Sequence, residues 1–144
     1  MSDEHHHQNH DRLRRTVSLP QPPEKVWAEI SGFGQTADWH PLIASVELVE
    51  IEGDTYRHLT TTDGEVFLER LLETGDHHIT YEIVDGPLPA SDYRATLSCV
   101  AEENGCHVFW SAYYVPDPAA PELSNKIISR FYRIGLEAIQ ERFS

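Results

Sequence analysis

ELSNKIISRFYRIGLEAIQER, residues 122–142, is the stretch whose reading decides the fold. Placed on a helical wheel at about 100° per residue, Leu123, Ile127, Phe131, Ile134 and Ala138 form one stripe. Ile128, Gly135, Leu136, Ile139 and Phe143 form a second stripe beside it. Lys126, Ser129, Arg130, Arg133 and Glu137 share a narrow polar arc. The apolar arc covers more of the circumference than an ordinary surface helix presents. The spacing therefore predicts one long helix gripped on two sides. Pro116, Pro118 and Pro121 lead into it, and a proline is well placed at a helix start.

Upstream of that helix the signal is strand after strand. Apolar and polar residues alternate over 46–51, 55–62, 65–74, 78–84, 92–101 and 106–115. Gly53-Asp54, Asp63-Gly64, Gly75-Asp76 and Asn104-Gly105 punctuate them as short turns, and Asp85-Gly86-Pro87-Leu88-Pro89 as a rigid loop. Short turns imply antiparallel neighbours. A further strand is expected over 12–19, stopped by Pro20-Gln21-Pro22-Pro23. A short helix follows over 23–30, and a second over 35–39, ended by His40-Pro41 because the residue before proline avoids the α region. The fold class is α+β: a curved antiparallel sheet of about seven strands, two short helices after the first strand, and one long C-terminal helix. If Asn104-Gly105 is a two-residue turn, Cys99 stands opposite about Trp110 and Cys106 opposite Glu103, too far apart to bond.

A chain of 144 residues suits one domain, here 12–144, after a polar His-rich tail over 1–11 expected to be disordered. That tail holds His5, His6, His7 and His10 but nothing that completes a metal shell. The formal charge is −13, from 24 acidic against 11 basic residues, which disfavours nucleic acid and anionic membranes as partners. No apolar run approaches the roughly 20 residues of a membrane span. With no secretory signal and two unpaired thiols, the expected location is cytoplasmic. No phosphate-binding glycine loop or metal motif is present, so no cofactor is expected. Monomer and homodimer remain open.

The turn at Thr62-Asp63-Gly64 fixes a register. A three-residue loop with Gly64 left-handed puts Leu59 opposite Phe67 and Arg57 opposite Glu69. A two-residue turn would set Arg57 against Arg70, which repels, so the charges favour the longer loop. Glu69 shares its face with Phe67 and Leu71. A carboxylate on an apolar face needs a partner or a shifted pKa. It is either a ligand-orienting group or a structural ion pair with Arg57.

The order of elements resembles the SRPBCC superfamily, which includes START domains, polyketide cyclase/dehydrase-like proteins and plant abscisic-acid receptors. The residues that carry the resemblance are Pro23-x-x-Val26-Trp27, Trp39-His40-Pro41, Glu69-Arg70-Leu71-Leu72, Tyr81-x-Ile83 and Asp92-Tyr93, within a span from about Arg14 to Phe143. The resemblance implies a helix-grip fold with a cavity between sheet and helix. In the receptors a glutamate matching Glu69 lines that cavity. A lysine stands at the place of His40 and meets the ligand's carboxylate; histidine here removes that permanent cation.

Tyr81, Ile83, Tyr93, Ala95 and Trp110 fall at alternating positions expected to face the helix, with Phe131 and Gly135 closing the far wall. Each is either cavity lining or plain core, and Trp110 is bulky enough to fill much of the space. The expected ligand site comprises His40, Arg57, Leu59, Phe67, Glu69, Tyr81, Ile83, Tyr93, Ala95, Trp110, Phe131 and Gly135. The function expected is binding of a small apolar or aromatic molecule. The alternative is a polyketide cyclase/dehydrase-like enzyme, without metal, using Glu69 and His40 (and Tyr93) as acid–base groups.

Overall fold

A computed structural model describes residues 10–144. Most of the expectation for the N-terminal tail, including His5, His6 and His7, lies outside the described residues. Strand β1 spans Asp11–Leu19 and helix α1 Pro23–Ile30. Strands β2 (Ile43–Ile51), β3 (Asp54–Thr61), β4 (Val66–Thr74), β5 (His78–Asp85), β6 (Ala90–Glu102) and β7 (Gly105–Pro116) follow, then helix α2 over Pro121–Phe143. All seven strands form one antiparallel sheet in the order β1-β7-β6-β5-β4-β3-β2. Irregular pairings interrupt the β4–β5 ladder on both sides of Glu69 and Leu71. Such bulges bend and twist strands, which lets the sheet curl around α2.

The second short helix is present only as one turn. Residues Thr36–Asp38 make a single 3-10 turn, closed by Trp39 N–H to the Thr36 carbonyl. Gly34 and Pro41 leave too few residues between them for a full helix, and the Thr36 hydroxyl is taken by Arg57 at 2.9 Å.

The long helix begins on Pro121 at its first turn, as its sequence predicts. Its grip differs from the wheel. Ser124, Ile128, Tyr132, Gly135, Leu136, Ile139 and Phe143 are buried. Leu123 and Ile127 of the other stripe stand 47% and 40% exposed. The sheet therefore holds one face of α2 and leaves the first stripe half in solvent.

The hairpin at Gly64 has the expected register, with Arg57 opposite Glu69, Leu59 opposite Phe67, and Gly64 at φ +88°. The last hairpin does not. Glu102 pairs with Gly105, so Cys99 faces Val108 and Cys106 faces Ala101. The reason is Gly105: a β-carbon there would collide with the Leu19 carbonyl, so this glycine belongs to the β7–β1 contact rather than to the turn. The two thiols become diagonal neighbours on the inner face, both free and buried. Burial pushes the Cys99 thiol up to about 12, which keeps it protonated and unreactive.

Candidate functional site

Beneath α2 the curved sheet leaves a cavity of about 200 Å³. Its floor is the Arg57–Glu69 pair. Arg57 donates from Nε to Glu69 Oε1 at 2.8 Å, and its second terminal nitrogen lies 2.7 Å from the same oxygen. The other terminal nitrogen donates to the Phe33 carbonyl at 2.8 Å and to Thr36 Oγ1. The guanidinium sits 4.0 Å from the Phe33 ring centroid and 4.7 Å from that of Tyr81. Charge, hydrogen bonding and aromatic faces thus compensate the desolvation of both groups. Glu69 Oε1 takes both Arg57 contacts, so Oε2 is not engaged by Arg57.

Three tyrosines and a tryptophan form the polar side wall. Trp110 Nε1 donates to the Tyr81 hydroxyl at 3.0 Å. The Tyr93 and Tyr132 hydroxyls are hydrogen-bonded to each other. Trp110 stacks on Tyr132 with centroids 4.3 Å apart and planes 8° from parallel. Burial raises the pKa of all three tyrosines, so they stay neutral donors at physiological pH. The apolar lining comes from Leu59, Phe67, Ile83, Leu88, Ile128 and Phe131. At the mouth stand Asp63, Glu65, Ile127 and Arg130.

Nine of the expected site residues line this one space: Arg57, Leu59, Phe67, Glu69, Tyr81, Ile83, Tyr93, Trp110 and Phe131. Trp110 forms a wall and leaves the cavity open. Ala95, Gly135 and His40 are not part of the lining. Ala95 is buried with too short a side chain to reach past Tyr81 and Tyr93. Gly135 is close to side chains: a β-carbon on it would come within 2.6 Å of His40 Cδ2 and 2.9 Å of Trp110 Cζ3.

His40 is wedged behind the wall, 1% exposed and stacked on Phe131 at 4.1 Å. The Leu42 N–H donates to Nδ1 at 3.1 Å, so Nδ1 carries a lone pair. Nε2 must then hold the proton it donates to the Phe131 carbonyl at 2.9 Å. Both nitrogens are occupied and the ring is neutral. Burial lowers its pKa to about 4, against the opposing pull of the Phe131 carbonyl. Glu69 lines the cavity and His40 does not, both of its ring nitrogens being taken by backbone groups.

Two expectations follow. Between about pH 6.5 and 4 the folded chain binds fewer protons at His40 than the unfolded chain does. This contribution is complete above pH 6.5 and lost as pH falls through that window, by roughly 3 kcal/mol in total. Urea unfolding at stepped pH measures it, and a His40→Gln variant lacks that segment of the curve. For Gly135→Ala, helix propensity gains about 1 kcal/mol, but overpacking against a ring pinned at both nitrogens costs more; a net loss of about 1–2 kcal/mol is expected in the same assay.

Tyr132, Thr36, Leu42, Ile128, Arg130 and the turn residues Thr61, Thr62, Asp63 and Glu65 also line the cavity. Tyr132 was findable, since it lies four residues from both Ile128 and Leu136 on the buried stripe. The others depend on how far the sheet curls. Among the described residues no cluster of three or more His, Cys, Asp or Glu side chains is arranged to hold a metal ion. No helix among them is long and apolar enough to cross a membrane.

A long helix held in a curled seven-stranded sheet, over a cavity with a charged floor, defines a helix-grip protein of the SRPBCC superfamily. The chain belongs to the family described as polyketide cyclase / dehydrase and lipid transport, whose profile matches residues 10–144. It is similar to the protein XoxI from Bacillus cereus, at 32% identity over 92% of this chain and 94% of that one, with a TM-score of 0.85. An uncharacterized protein from Bacillus thuringiensis is 31% identical over 92% of this chain and 98% of that one, with a TM-score of 0.84. The Zhui aromatase/cyclase from a Streptomyces species shares the fold over 92% of this chain and 93% of that one, with a TM-score of 0.79 at 15% identity. No curated protein matches the chain.

Proposed function

We propose that the protein binds a small, neutral, one-ring aromatic molecule carrying a hydroxyl or similar donor, in the cavity under α2. The observation that carries this reading is a small, mostly apolar cavity whose lining includes one carboxylate, Glu69, and three neutral tyrosines, Tyr81, Tyr93 and Tyr132. Size sets the upper limit. A cavity of about 200 Å³ is below the roughly 300–1,000 Å³ of pockets for drug-sized ligands, while one of about 150 Å³ holds benzene. Charge sets the chemistry. Arg57 is spent on Glu69, Phe33 and Thr36, so it offers no free fork to an anionic ligand. Glu69 within, and Asp63 and Glu65 against the single cation Arg130 at the mouth, favour a neutral donor over a carboxylate.

Phenol, cresols and their benzoate counterparts separate the possibilities in a thermal melt. A neutral phenol at a hundredfold excess over its Kd is expected to stabilise the fold by about 2.7 kcal/mol. The matching benzoate is expected to give no shift, and Ile83→Phe, which fills the space, is expected to abolish the phenol effect. Equal stabilisation by benzoate, or a shift that survives Ile83→Phe, would overturn this reading.

A further inference from the structure

The outer face of the sheet, turned away from α2, carries a group of side chains the cavity does not use. Side chains alternate along β1, so Leu13, Val17 and Leu19 turn to the core and Arg12 and Arg14 turn outward. Arg12 stands across from Tyr113 of β7, and Arg14 across from Ser111. On the other flank of β7, Arg94 of β6 also faces Tyr113 and Thr96 faces Ser111. These six side chains line one shallow groove.

Arg12 and Arg14 lie against aromatic rings. The Arg12 guanidinium lies 5.2 Å from the Tyr113 ring centroid, and that of Arg14 lies 4.8 Å from the Phe109 centroid. A guanidinium laid on a ring keeps its N–H edges available to a planar anion. No carboxylate lies within ion-pair distance of Arg12 or Arg14 among the described residues. The nearby acids are engaged elsewhere. Glu82 is held by Arg70 at 2.7 Å and reaches Arg94 only at 3.9 Å. Asp92 is held by His10 at 2.8 Å, and Glu102 by Ser18 and His107. In a chain of net charge −13, two unpaired arginines beside a third are a local reversal of sign.

We propose that this face docks an extended acidic segment of a partner protein. Arg12 and Arg14 are two residues apart on one strand face, roughly 6.8 Å at about 3.4 Å per residue. Alternate side chains of an extended peptide have the same spacing. Carboxylates at positions i and i+2 therefore meet one guanidinium each, and each contact can be bidentate. Arg94, two strands over, takes a third acid from the side, and the Ser111, Thr96 and Tyr113 hydroxyls supply further donors. A second copy docked symmetrically would set Arg12 and Arg14 against like charge. Nucleic acid, whose phosphates carry charge far more densely than alternate carboxylates on a peptide, extends over the acidic remainder of the chain and is opposed by it.

The test is fluorescence anisotropy of a labelled short peptide of alternating glutamate and serine, titrated with the full chain. Saturable binding is expected, weakened by salt. Arg12→Gln with Arg14→Gln is expected to weaken it about tenfold or more, given the roughly 1.5–3 kcal/mol of a charged hydrogen bond. Arg133→Gln, an exposed helix residue paired with Glu137, is expected to leave it unchanged, and a glutamine-serine peptide is expected not to bind. If the double variant melts early, Arg94→Gln alone decides, with a several-fold loss expected. The proposal fails if binding is absent, or if Arg133→Gln weakens it as much. It also fails if a single-stranded oligonucleotide or inorganic phosphate occupies the same arginines more tightly than the peptide.

Discussion

Arg57→Ala will lower the stability of the fold by about 3–5 kcal/mol, because it strands a carboxylate in the interior. Arg57 is 3% exposed and Glu69 7%. Without the guanidinium, Glu69 keeps its desolvation and loses the charge that offsets it. The Phe33 carbonyl and Thr36 hydroxyl lose their donor at the same stroke. Replacing both members with apolar residues, Arg57→Met with Glu69→Leu, removes the stranded charge and is expected to recover much of the loss. Urea unfolding of the two variants measures this, with an unchanged m value confirming that the comparison is one of stability. A loss below about 1 kcal/mol for Arg57→Ala would mean that water reaches the cavity floor freely. The double variant also tests the ligand. A phenol should then lose its preference over toluene, since its acceptor is gone.

Trp110→Ala is expected to cost about 3–5 kcal/mol and to enlarge the site. The ring is 2% exposed and touches Trp39, His40, Phe131 and Tyr132. Deleting it removes the stack on Tyr132 and leaves the Tyr81 hydroxyl without its donor. Trp110→Phe keeps a ring in place and is expected to cost less. Because the indole forms a wall of the cavity, the alanine variant is also expected to take two-ring compounds such as naphthol that the native protein excludes. Thermal melts with phenol and naphthol check both parts. Equal stabilisation of native protein and variant by naphthol would mean that the native cavity already opens further than its walls suggest.

Much of this was legible in the residues because local rules and the fold agreed. The Arg57–Glu69 register followed from one glycine and the repulsion of Arg57 by Arg70 in the alternative pairing. The order of β2 to β7 followed from short turns, whereas the place of β1 beside β7 did not. Legibility failed where a residue answered to a distant partner. Gly105 reads as a turn residue, but it is claimed by the backbone of Leu19, and that moved the Cys99 and Cys106 register. His40 reads as a cavity group, but it is claimed by the backbone on both nitrogens. The wheel of α2 counted apolar residues correctly, yet Leu123 and Ile127 remain exposed because the sheet reaches only one side of the helix there. Composition hid the basic groove entirely, since a net charge says nothing of how charges are grouped.

The central claim is that the space under α2 takes a small neutral aromatic ligand. It is tested most directly by the indole N–H resonances of the three tryptophans during a titration with phenol. Trp110 Nε1 donates to Tyr81 inside the cavity, whereas Trp27 packs beside His77, outside the cavity lining. The expected result is a saturable shift of the Trp110 signal with that of Trp27 unmoved. A Trp110 signal that stays fixed while phenol binds elsewhere, or no saturable shift at all, would contradict the account.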